Sequence, residues 1–189
     1  MSVTTIPTAG IADSAISTAK IADDAVTTAK TTAGITMVDQ WRLSDHLTGN
    51  QNPITSNLER IDTRGFSSAL GSGMSESSGV FTFPSTGFYQ VMAGFKFDEN
   101  GSGDDNEING AIEYTSDNGS NWYVSVYVTG MTFSSNSTTL QTGAFIYDIT
   151  DTSNQKIRFS VSNMLSSNRT IGNTNAAETF FTFVRLGDT

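Results

Sequence analysis

Between positions 87 and 97 the chain alternates, so that Tyr89, Val91, Ala93, Phe95 and Phe97 fall on one side of an extended backbone. A period of two is the signature of a half-buried strand, because a helix would scatter that set around its circumference. Shorter strand-like runs lie at 38–43, 54–61, 80–83, 108–114, 122–128, 144–149, 156–161 and 179–186. Polar turn segments separate them, among them Thr48-Gly49-Asn50-Gln51-Asn52-Pro53 and Ser116-Asp117-Asn118-Gly119-Ser120. The Asn-Gly pair of the second readily takes the positive φ angles of a tight hairpin. About eight to ten short strands at this spacing predict an all-β sandwich or barrel.

Composition narrows the chemistry. Ser, Thr, Asn and Gly supply 82 of 189 residues and charged residues only 15%, a mixture that favours strands and turns over long helices. Cysteine is absent and His46 is the one histidine. Disulfide scaffolds, thiolate zinc sites, cysteine nucleophiles and three-histidine metal sites within one chain are thereby excluded. No run of about 18 apolar residues exists, so no membrane insertion is expected. The first residues, Met1-Ser2-Val3-Thr4-Thr5-Ile6, have neither a basic nor an apolar region and do not read as a secretory signal. The net charge of −9 comes without a basic stripe, so no nucleic-acid partner is expected.

The first 36 residues differ in kind. They lack aromatic residues and repeat with a period of ten: 11–20 reads Ile-Ala-Asp-Ser-Ala-Ile-Ser-Thr-Ala-Lys and 21–30 reads Ile-Ala-Asp-Asp-Ala-Val-Thr-Thr-Ala-Lys. Within that period Ile6, Ile11, Ile16, Ile21 and Val26 recur every five residues. Neither a straight helix nor a strand keeps such a ladder on one face. Units that cannot bury their apolar side alone must stack or intertwine with other copies. Residues 1–36 are therefore read as a thin multichain stalk with these five residues at its core. A disordered Ala/Thr linker is the alternative. Residues 37–189 form the head.

The run Gly79-Val80-Phe81-Thr82-Phe83-Pro84-Ser85-Thr86-Gly87-Phe88-Tyr89 resembles the G-x-F-x-x-P-x-x-G-x-Y stretch of complement-type globular heads, relatives of tumour necrosis factor. The aromatic closing segment, Phe180 to Leu186, suits the last strand of that family. The resemblance covers roughly residues 38–189. It implies a jelly-roll sandwich that associates as a homotrimer. A decapeptide repeat followed by such a head is similar to bacteriophage fibre or head-appendage proteins. That likeness implies a virion-surface protein made in the host cytoplasm. Its N-terminus would contact other virion proteins and its head would decorate the particle or adhere to a host-surface polysaccharide or protein. A fibre-borne polysaccharide depolymerase and an internal tail adaptor without receptor binding are the alternatives.

Seven carboxylates and no basic residue lie between 98 and 117. The spacing from Asp98 resembles a calcium loop, but Asn109 stands where the bidentate Glu is required. A looser Ca2+ site would use Asp98, Asp104, Asp105 and Glu107; otherwise this is a solvated acidic loop. Asp45 beside His46 shows no matched nucleophile, and Glu107 and Glu113 lie too far apart along a strand for a glycosidase pair. No catalytic residue or other cofactor is expected. Alternation puts either Trp122 or the pair Tyr123 and Tyr127 in the core. The surplus of apolar surface on the closing strand, at Phe180, Phe181 and Phe183, predicts a trimer interface there.

Overall fold

In the computed structural model, which describes residues 21, 34–63, 65, 69–100, 103–133 and 137–189, the alternating segments become strands of two antiparallel sheets. The first sheet is centred on β6 (Gly87–Asp98), whose length follows from its uninterrupted alternation. One side of β6 pairs with β12 (Phe180–Gly187), which pairs in turn with β1 (Met37–Leu43) and then β3 (Leu58–Arg60). Its other side pairs along its whole length with β9 (Thr138–Ile149). Two short strands, β2 (Leu47–Thr48) and β11 (Arg169–Thr170), extend this sheet beside Phe97 and Asp98. The second sheet runs in the order β4 (Ser75–Ser77), β5 (Val80–Thr82), β10 (Lys156–Ser162), β7 (Asp105–Thr115) and β8 (Tyr123–Thr132). No helix occurs among the described residues.

The core lies between the sheets and is rich in aromatic residues. Phe159 of the second sheet stacks on Phe181 of the first with ring centroids 3.9 Å apart, and Phe81 meets Trp41 edge-on at 5.2 Å. Phe83, Phe95, Phe97, Tyr89, Tyr147 and Phe183 are the other buried aromatic residues of this core, with aliphatic side chains filling the space between them. Burying each such ring removes 150–250 Å² from water, which is the main gain holding the sheets together. The interior also holds a charge. Asp39 occupies an inward position of β1 between Met37 and Trp41. It accepts from Arg60 Nε at 3.0 Å, Trp41 Nε1 at 3.0 Å and the Met74 amide at 2.7 Å, which ties β1 to β3 and to the 69–74 segment.

The Gly79–Tyr89 signature is the crossing from one sheet to the other. At Gly79, φ is +84° and a Cβ would stand 2.1 Å from the Ile54 carbonyl oxygen. At Gly87, φ is +140° and a Cβ would stand 2.4 Å from the Gly187 oxygen. Any side chain at these two positions would force the backbones apart. Two residues after Gly87, Tyr89 turns inward against Phe83 and its hydroxyl donates to the Ser85 carbonyl at 3.0 Å, pinning the turn.

Several expectations need correction. The run 54–61 is strand only at β3, and β9 begins six residues before the segment read as strand. Phe181 and Phe183 are fully buried within the protomer, so they are core residues and not interface residues; only Phe180 lies on the outer face. The register explains it, since Phe181 and Phe183 pair with inward-facing Ala93 and Val91. Phe180 pairs with Gly94, where its ring replaces the missing side chain. Of the stalk ladder, Ile6, Ile11, Ile16 and Val26 lie outside the described residues; Ile21 is described and exposed.

Candidate interaction surface

The proposed cation ligands do not converge. Asp98 pairs with Arg169. Asp105 is buried and accepts from Asn168 Nδ2 at 2.7 Å and from the Leu165 amide. Glu107 is exposed and accepts from Asn109 Nδ2 at 2.9 Å, while Asp104 is exposed separately. Among the described residues no three His, Asp or Glu side chains stand close enough to share a metal ion. The acidic run was legible in sequence; its division among arginine, amide and solvent was not, because those partners come from 165–169.

The other candidates are also occupied. His46 accepts at Nδ1 from the Gly172 amide at 3.1 Å, and Asp45 accepts from the His46 amide, so no base is poised there. Glu113 is buried against Arg158 at 2.6 Å and Ser160. Asp117 builds its own turn. The Asn121 side chain and amide and the Thr115 hydroxyl donate to its carboxylate and pull its pKa down to about 2. Burial pushes the Tyr147 hydroxyl up to about 12.

The surface most unlike its surroundings is the side of the sandwich formed by β8 and β9. Among the described residues both are edge strands, paired on one side only. Across them the sole charged residue is Asp148, while Tyr123, Val124, Tyr127, Met131, Leu140, Phe145 and Ile146 are exposed. Their inner faces close on each other tightly: a Cβ at Gly143 would stand 2.6 Å from Val126 and 2.7 Å from Val128. From β9 the apolar surface continues over the outer face of the first sheet. There Ile146 and Val184 flank Gln90, and Phe180 lies over Gly94 beside Met92.

On β8 the two tyrosines do not share a face. A bulge sets Val124 opposite Glu113 and Tyr123 opposite Tyr114, whereas Tyr127 stays opposite Ala111. Neither tyrosine is core, and Trp122 lies against Arg158, its ring 4.3 Å from the guanidinium. The choice between Trp122 and the tyrosines as core therefore fails both ways; Val126 and Val128 supply the inward positions. Leu140 and Thr142 were missed as strand residues, although with Ala144 and Ile146 they continue the period of two.

No family model matches the chain, and no curated protein sequence matches it. Among solved structures, Eiger TNF from S. frugiperda superposes with a TM-score of 0.59 at 9% identity, covering 80% of this chain and 93% of that one. Murine APRIL at pH 5.0 gives 0.56 at 11% identity, with 79% and 98% covered. At such identity the likeness establishes the fold, a tumour-necrosis-factor-like jelly roll, and that alone.

Proposed function

We propose that this chain is a non-enzymatic structural protein of a bacteriophage particle: a homotrimeric jelly-roll knob on a short repetitive stalk, used for adhesion to the host surface. The observation that carries the self-association is the apolar side along β9, continuous with the outer face of the first sheet. Long uncharged edge strands left bare invite uncontrolled pairing, so soluble proteins cover them. A second copy of this chain is the cover in this reading. The sequence likeness to phage fibre and appendage proteins supplies the virion setting. Three weak receptor contacts held in one knob gain avidity that a single one lacks.

Light scattering of the full chain at micromolar concentration tests the assembly: three times the chain mass is expected, and a monomer mass overturns it. Labelled antibody on intact particles tests the setting. External decoration is expected, and labelling that requires disrupted particles overturns the adhesive role.

A further inference from the structure

The outer face of the second sheet carries a polar row on β7 and β8, away from the β9 side and first-sheet face to which the self-association is assigned. Thr129 Oγ1 donates to Asn109 Oδ1 at 2.8 Å, and Asn109 Nδ2 donates to Glu107 Oε1 at 2.9 Å. The three side chains are thus held in fixed orientation across β7 and β8. Beside them on the same face stands Tyr127, opposite Ala111 and 62% exposed. Two residues of strand separate Tyr127 from Thr129, about 7 Å. Ala111 and Ser160 are buried on this face, so the ring overlooks a low floor.

This is a bare aromatic face next to preorganised donors and acceptors. The Tyr127 hydroxyl and the second Asn109 N–H remain to donate, and the second Glu107 oxygen remains to accept. An apolar partner would strand those groups without hydrogen bonds, which is costly. A sugar ring fits both halves, with C–H bonds on its faces and hydroxyls on its rim. Charge selects among sugars. On this face Arg158 is committed to Glu113, and Lys156 donates to Thr82 at 3.2 Å. Among the described residues Glu107 has no cationic partner, so it repels carboxylated or sulfated chains.

We propose that this face binds an uncharged polysaccharide, with Tyr127 stacking on one sugar and the Thr129–Asn109–Glu107 row meeting hydroxyls of the neighbouring one. The inference rests on the adhesive reading above and names its ligand class. The full chain is run through native gels cast with dextran, mannan, laminarin or galactomannan, and with alginate as the polyuronate. At least one neutral polymer is expected to slow it, and alginate is not. Tyr127→Ala should weaken the retardation about tenfold, and Thr129→Val should weaken it less.

The proposal is overturned if no neutral polymer slows the chain, if alginate slows it as much, or if Tyr127→Ala and Thr129→Val migrate as the parent does. Near-UV circular dichroism checks folding, and Thr129→Val alone decides if Tyr127→Ala fails to fold. Light scattering on the same samples separates the two readings: a trimer without retardation removes this ligand class, whereas a monomer removes the assembly.

Discussion

The sandwich has two lateral sides, and they are built on opposite rules. On one side the edge strands β3 and β4 have three residues each and carry Glu59, Arg60 and Glu76. Arg60 there reaches inward to the buried Asp39 and stacks over Trp41 at 4.7 Å. On the other side β8 and β9 have 10 and 12 residues and share one charge. Short, charged edges resist pairing with a second chain, whereas long apolar ones favour burial against a partner. The first side is finished within one protomer, and the second leaves exposed the β9 side that the proposed self-association would cover.

The largest effect is expected on the finished side. Arg60→Met leaves Asp39 buried without its cation, and breaking such a pair from one side costs about 3 kcal/mol or more. A fall of that size in unfolding free energy is expected by denaturant titration. A loss below about 1 kcal/mol would mean that the Trp41 and Met74 donors suffice for Asp39.

On the side proposed to self-associate, Leu140→Lys with Ile146→Lys gives β9 charges of the kind that already mark β3. The expected outcome is a folded monomer by light scattering, with the circular dichroism spectrum of the parent. A double variant that stays trimeric would break the comparison, because the long edge would then not be the covered one.

The smallest effect separates a local turn from both sides. The hydrogen bonds from Asn121 and Thr115 pull the Asp117 pKa from an ordinary 3.8 down to about 2. A lowered carboxylate pKa means that folding favours the ionised form. Its contribution is therefore complete above pH 3.8 and fades as pH falls toward 2. Asp117→Asn should flatten this small acid-side step in the melting temperature. An unchanged step in the variant would assign it to other carboxylates.

Much of the fold was legible because alternation and turn chemistry act locally. β6, β7, β10 and β12 follow from their own residues, and the 79–89 signature marks the crossing between sheets. What could not be read depends on register between distant strands. Asp39 looks like an outward polar residue of β1 until Arg60 and Met74 are placed beside it. The β8 bulge turns Tyr123 away from the face of Tyr127, and nothing in 122–128 announces it. The closing strand showed two aromatic faces correctly. Which face was core depended on Ala93 and Val91, nearly ninety positions earlier.

Met37 at the start of β1 lies opposite Arg185 near the end of β12, and the Arg185 guanidinium reaches back to Thr36 Oγ1 at 3.4 Å. The sandwich thus begins and finishes on adjacent strands at one pole. In the language of connectivity it is nearly a closed ring, which a brief linker from 187 to 37 would complete. Its strand order could then be opened at a loop of the opposite pole, such as 162–168, and a circularly rearranged chain would keep every ladder pairing. Anything fused at either strand end would emerge on the same side, leaving the other pole clear.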